Sequence, residues 1–264
     1  MIFNNNQRSI IEKTISDCLH RKFSTYKSVT NYMPFHFRLL GKDRMALYSF
    51  IQSLNTTFGT SIFEPVALEL ATTSNRFART EKQIFVGDMI SEAAQREIQS
   101  IIDDLTNSGE PNKIQEVERL RKVCRSGKIN KTKPVRVDLY LESKDGKKHL
   151  FDLKTAKPNV SNFKDFKRTI LEWAAICLYN NPDENISTYI AIPYNPYEPK
   201  PYQRWTLKGM LDFEQELKVA SEFWDFLGGV GAYDDLLDSF ERVGLEMREE
   251  IDKYFERFNF NVSD

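Results

Sequence analysis

Val135 to Lys154 reads VRVDLYLESKDGKKHLFDLK. Val135, Val137, Leu139 and Leu141 alternate with Arg136, Asp138, Tyr140 and Glu142, the period of two that marks a strand with one buried face. Lys148 to Lys154 alternates too, with His149, Phe151 and Leu153 on one side and Leu150, Asp152 and Lys154 on the other. Lys144-Asp145-Gly146 between them is a turn sequence. A two-residue Asp-Gly turn would set Asp138 opposite Leu153. A three-residue loop with Gly146 left-handed sets Asp138 opposite Asp152 and Arg136 opposite Lys154. That register stacks Val137 on Leu153 and Leu139 on Phe151, and it opposes Glu142 to Lys148, a pair worth about 0.2–1 kcal/mol. A slip of one residue would turn the apolar set to the wrong face, so the apolar pattern itself selects the register that gathers the carboxylates.

Two carboxylates placed together repel unless a positive charge sits between them. A divalent metal is the natural candidate. With Lys154 on the same polar face, Asp138 and Asp152 form the set that Mg²⁺-dependent phosphodiester cleavage requires. The plain alternative is a hairpin whose outer charges are merely solvated.

The 264 residues suffice for a full core, and 41% hydrophobic with 28% charged residues is an ordinary globular balance. No apolar run approaches the roughly 20 residues of a membrane span. The N-terminal MIFNNNQRS lacks a basic-then-apolar leader pattern. Cys18, Cys124 and Cys177 have no metal-ligand spacing, and reduced thiols in a cytoplasmic protein are expected. Net charge is only −1, but it is segregated: Arg119 to Arg136 holds eight basic residues and no acidic one, and Met210 to Asp264 holds fifteen acidic against five basic. A basic middle beside an acidic end suggests one surface for phosphate. His20, His36 and His149 are scattered, and His149 falls on the buried side of the hairpin, so it reads as a packed histidine. No phosphate-binding loop or nucleophile-elbow motif is present.

Around the hairpin, periodicity predicts helices over Gln7 to Thr25, Asp43 to Leu54, Thr57 to Ala71 with a kink at Pro65, and Asp88 to Leu105. A basic helix ending near Arg125 and a lysine-rich connector to Pro134 follow. Ser161 caps a helix to Tyr179 whose Phe163, Phe166, Ile170, Trp173 and Cys177 should face the sheet, with Lys164, Lys167 and Arg168 elsewhere on its surface. Ser187 to Ile192 reads as a third strand. YNPYEPKPYQRW, from Tyr194 to Trp205, is too proline-rich for a central strand and reads as a surface loop or a groove-inserting one. Ser221 to Leu227 is a short helix, and Tyr233 to Phe258 a long acidic one interrupted near Gly244. The class is α/β: a mixed sheet flanked by helices, as one domain with a helical N-terminal part (1–106), a core (107–205) and a helical C-terminal part (206–264).

The Asp…Asp-x-Lys hairpin resembles the PD-D/ExK nuclease core. PVRVDLYLE, FDLKTAKPN, FKDFKRTILEWAA and GKDRMALYSFIQSLNTTFGTSIFEPVALELA resemble the type II restriction endonucleases of the TdeIII family, over most of Pro34 to Ala175. The resemblance implies a restriction-endonuclease-like core. It makes Asp138 and Asp152 ligands of Mg²⁺, Lys154 the basic residue beside the attacked phosphate, and Glu64 the helix-borne acid that completes the site, with Glu69 close by. The signature's proline is displaced, since Pro134 stands four residues before Asp138. The resemblance also implies cleavage of double-stranded DNA near a GGNCC-type sequence, 5′-phosphate ends, and a partner methyltransferase in a restriction-modification system.

Phosphate contacts are expected from the Arg119 to Arg136 run, Arg136 included, and from Lys157, Lys164, Lys167 and Arg168. Base readout is expected from Asn159, Asn195, Lys200, Gln203 and Arg204. A symmetric duplex target is matched most simply by a homodimer. Rival readings are a repair or junction-resolving nuclease on the same core, and a DNA-binding protein that does not cut.

Overall fold

The computed structural model describes residues 2–26, 33–107, 109–134, 136–154, 156–157, 163–202 and 209–256. In chain order these form α1 (Asn5–Thr25), α2 (Pro34–Leu40), α3 (Lys42–Thr57), a π-helical segment (Phe58–Phe63), α4 (Glu64–Thr73), β1 (Phe77–Phe85), β2 (Met89–Ser91), α5 (Glu92–Thr106), α6 (Lys113–Val123) and β3 (Ile129–Lys131). There follow β4 (Arg136–Ser143), β5 (Lys148–Leu153), α7 (Phe163–Asn180), β6 (Ile186–Ile192), β7 (Leu217–Val219), α8 (Ser221–Gly228), α9 (Ala232–Glu246) and α10 (Arg248–Glu256).

The hairpin holds the predicted register: Leu139 pairs with Phe151, Leu141 with His149 and Glu142 with Lys148. The turn closes through the Ser143 amide on the Lys147 carbonyl, with Gly146 at φ +84°, where a side chain would be strained. β5 then pairs in parallel with β6, and β6 with β7, while β1 lies antiparallel along β4. The sheet order β1-β4-β5-β6-β7 is mixed and flanked by helices, the expected class.

Helices cover both faces of the sheet, so the hairpin has no solvated face. Leu139, Leu141, Phe151 and Leu153 pack with α1, α4, α8 and α9 residues such as Ile11, Leu70, Phe223 and Leu236. Tyr140 and Leu150 pack with α5, α6 and α7 through Ile98, Leu120, Ile170 and Trp173. Phe151 is fully buried, a burial that contributes about 1.5–3 kcal/mol. The alternation of the hairpin is real, and on its second face Tyr140 and Leu150 are the apolar centre, with Asp138 and Asp152 at one end and the Glu142–Lys148 pair at the other.

Two strands lie in the broadly helical N- and C-terminal parts, between the helices that periodicity predicts. β1 comes from the N-terminal part and β7 from the C-terminal part, and both join the sheet as its edges. The helix expected from Asp88 starts at Glu92, because Ser91 accepts the Ala94 amide at 3.0 Å as its cap and donates to the Val123 carbonyl at 2.8 Å. The connector before the hairpin contributes β3, which pairs with β2. The acidic C-terminal helix is broken at Met247, between α9 and α10. No helix among the described residues is long and apolar enough to cross a membrane.

Candidate active site

Asp138 leaves β4 beside the end of β5, where Asp152 is the penultimate residue and Lys154 follows the last. Its Oδ2 accepts the Leu153 amide at 2.8 Å, so the acid of one strand is tied to the backbone of the other. Asp152 is buried, 6% exposed, and its Oδ1 lies 2.7 Å from the Lys154 ammonium. Lys154 also sits over the Phe166 ring of α7, 4.7 Å from its centre. Its backbone amide donates to the Ala191 carbonyl at 2.9 Å, extending the β5–β6 ladder to the site.

Glu64 arrives from the other side. The helical run from α3 loosens into the π-helical segment, and α4 restarts with Glu64 and Pro65. Proline is tolerated there because a first-turn amide has no partner inside the helix. Glu64 is 3% exposed, and it rather than Glu69 is the acid linked to Asp138. The link is Gln83 of β1, whose Nε2 donates to Glu64 Oε2 at 2.7 Å and to Asp138 Oδ1 at 3.1 Å. Gln83 is left-handed, φ +56°, in the middle of a strand. A non-glycine residue held there costs on the order of 1–3 kcal/mol.

The acids are electrostatically frustrated. Burial, and then the Asp138 charge, push the Glu64 carboxyl up to about 7, with Gln83 pulling the other way. Burial likewise raises Asp152 to about 7, Lys154 opposing and Asp138 reinforcing the rise. Lys154, paired with Asp152, and Lys82, whose charge acts on Glu64, are the cations set against three carboxylates. Among the described residues no three His, Cys, Asp or Glu side chains converge closely enough to cage a metal unaided. The donor set still fits Mg²⁺, which takes one or two carboxylates and completes its shell with water and substrate phosphate. Beside Lys154 opens a cavity of about 560 Å³ lined by Gln52, Asn55, Phe58 and Phe63 on one side and Lys157, Pro193 and Tyr194 on the other.

The other residues singled out from sequence scatter. Arg136, Lys157, Lys164 and Lys200 are exposed, Arg136 over the Phe85 ring and Lys157 over that of Tyr197. Arg168 donates to Gln99 at 2.6 Å, and the Asn195 amide holds its own loop, donating to the Lys200 carbonyl and accepting from the Tyr197 amide. Asn159, Gln203 and Arg204 lie outside the described residues.

One expectation is corrected and one is narrowed. Lys167 is fully buried and pairs with Glu116 and Glu216, both at 2.6 Å, so it has no surface to offer phosphate. The basic run is divided: Arg119 pairs with Glu97 and Asp104, Arg121 holds the Pro182 and Glu184 carbonyls and Arg125 those of Tyr179 and Asn180, while Lys122, Lys128, Lys133 and Arg136 are exposed. His149 is buried as expected, hydrogen-bonded to Ser143 Oγ at 2.9 Å and pushed down to about 4 by burial. Gln83 escaped the sequence reading, because nothing in FARTEKQIF marks one glutamine of a polar edge strand.

The whole of this framework has relatives. The family model "Type II restriction endonuclease, HinfI" matches residues 3–244. The chain is 27% identical over 259 residues to the Type II restriction enzyme HgiEI of Herpetosiphon aurantiacus, covering 92% of each chain. It is 28% identical over 225 residues to HgiCII of the same organism, covering 83% of this chain and 80% of that one. MjaII of Methanocaldococcus jannaschii is 27% identical over 257 residues, 84% of this chain and 66% of its own. The chain thus belongs to the HinfI family of Type II restriction endonucleases and is a site-specific deoxyribonuclease.

Proposed function

We propose that the protein hydrolyses double-stranded DNA with Mg²⁺ held by Asp138 and Asp152, on a core of the PD-D/ExK type. The observation that carries this reading is the meeting of Asp138, Asp152 and Lys154 at the end of the hairpin, through the Leu153 amide and the Asp152–Lys154 pair. Bound there, Mg²⁺ supplies Lewis acidity at the scissile phosphate and lowers the pKa of a coordinated water. Lys154 stabilises the charge that builds on the phosphate oxygens. Asp152 holds the Lys154 ammonium in line, and Glu64 completes the acid set. A water oxygen bonds to phosphorus and loses a proton to solvent, the bond to the 3′-oxygen breaks, and that oxygen takes a proton from solvent, leaving a 5′-phosphate and a 3′-hydroxyl.

The finer kinship with the TdeIII family, carried by FDLKTAKPN and FKDFKRTILEWAA, supports a GGNCC-type target. We assign phosphate contacts to Arg136, Lys157, Lys164, Arg168 and Lys200, and base contacts to the loops that carry Asn159, Asn195, Gln203 and Arg204. A homodimer acting in the cytoplasm, one site per strand, matches a two-fold symmetric target. Purified protein with plasmid DNA and Mg²⁺ tests the reading. Discrete fragments with GGNCC ends are expected, and none from Asp152→Ala. Equal cutting by Asp152→Ala removes the site assignment, and cleavage that follows lesions or junctions favours a repair-type nuclease.

A further inference from the structure

We infer that Gln83 is a positioning residue that joins Glu64 to Asp138 and keeps the helix-borne acid beside the hairpin pair that would take a divalent cation. The inference rests on the reading of Asp138 and Asp152 as the metal pair. One amide nitrogen carries two hydrogens, and here each serves a different acid, Glu64 at 2.7 Å and Asp138 at 3.1 Å. Glu64 comes from a helix and Asp138 from a central strand, so Gln83 is the hydrogen-bonded bridge between two separately anchored elements.

The backbone bends to make this bridge. Lys82 stands opposite Leu139 and Ile84 opposite Val137, so the ladder keeps its register on both sides of Gln83. The left-handed φ of +56° is therefore local to the residue that reaches the acids, not the by-product of a slipped strand. An outlier of this kind persists where its surroundings enforce it. The amide also has the right strength for the task. It damps the repulsion between Glu64 and Asp138, yet it is neutral, so a divalent cation can displace it or gather the acids it has arranged. A lysine at this place would satisfy the acids outright and compete with the metal.

The test is metal binding without turnover: Mn²⁺ titrated into DNA-free protein, free Mn²⁺ read by electron paramagnetic resonance. Gln83→Ala should weaken Mn²⁺ binding about tenfold or more, the range for residues that orient metal ligands. Gln83→Gly, which relieves the φ strain but also lacks the amide, should weaken it equally, while Gln83→Asn should retain part of the affinity. Glu64→Gln should weaken it too, and the double variant Glu64→Gln/Gln83→Ala should be no worse than the poorer single one. Parent-like affinity in both Gln83→Ala and Gln83→Gly, or full additivity with Glu64→Gln, overturns the inference. Asp138→Asn keeps the two ideas separate: if it leaves Mn²⁺ binding intact the metal site itself is misassigned, and if it abolishes binding while the Gln83 variants do not, only the role of Gln83 fails.

Discussion

Two clusters of lysines and acids among the described residues, one fully buried and one partly so, are built on opposite principles. In one, Lys113 and Lys167 face Glu116 and Glu216, two charges against two, with Lys113 2.9 Å and Lys167 2.6 Å from Glu216. Burial alone would raise Glu216, but the two ammonium groups outweigh it and hold the carboxyl below the usual range. In the other, Lys154 beside Asp152 and Lys82 acting on Glu64 are set against Glu64, Asp138 and Asp152, and burial wins: both Glu64 and Asp152 rise to about 7. The first cluster is balanced in charge and ties α6 and α7 to the segment before β7. The second lacks positive charge, the condition a cation would cure. The candidate site is the cluster in which the signs do not balance.

The sharpest way to break this contrast is to remove Lys167. Lys167→Met leaves Glu116 and Glu216 short of a partner, and urea unfolding should show a loss of about 3–5 kcal/mol. A parent-like midpoint would mean the balance is irrelevant. At the unbalanced site the same kind of truncation should strike rate instead. Lys154→Ala should lower plasmid cleavage in saturating Mg²⁺ by about 10²–10³-fold. Neutralising an acid should then have opposite signs in the two places. Asp152→Asn should stabilise the metal-free protein at pH 8 by about 0.5–2 kcal/mol, as removal of functional strain does, whereas Glu216→Gln should destabilise it.

The pH dependence follows from the same asymmetry. Glu64 and Asp152 bind protons more tightly in the fold than in the unfolded chain. Between the ordinary carboxylate range and about pH 7 the native state therefore holds more protons, and metal-free stability should fall as pH rises through that window. Glu216 acts in reverse: its contribution is present above the ordinary carboxylate range and is lost as pH falls through its depressed value. Thermal melts without metal between pH 5 and pH 8 should decline, and Asp152→Asn should flatten the decline. The smallest effect belongs to the surface. Lys164→Ala should weaken DNA binding uniformly across sequences and reduce the slope of log K against log salt by about 1, while Lys167→Met should leave that slope unchanged.

The hairpin was legible because three signals coincide in it: apolar alternation, a glycine where the turn needs φ > 0, and acids whose register is fixed by the residues around them. β6 and α7 were legible for similar reasons. Lys167 was not, because helical spacing identifies one buried face and α7 has more than one: Phe166, Lys167, Ile170 and Leu171 are all buried, between the sheet and α6. Once a lysine lies under a second helix, only the positions of Glu116 and Glu216 explain it, and those are far away in sequence. β1 was missed because an edge strand needs no apolar alternation, and Phe77–Phe85 buries no residue fully. Glu64 was readable only through kinship, since its partner Gln83 lies on that unreadable strand.

The sheet order sets a last consequence. Asp138 and Asp152 sit on strands paired on both sides, while Gln83 sits on the rim. Amide protons of β4 and β5 should exchange with solvent only in rare, large openings, and those of β1 in frequent, small ones. The site straddles that boundary, and a cation gripping both sides would slow the exchange of β1 toward that of its neighbours.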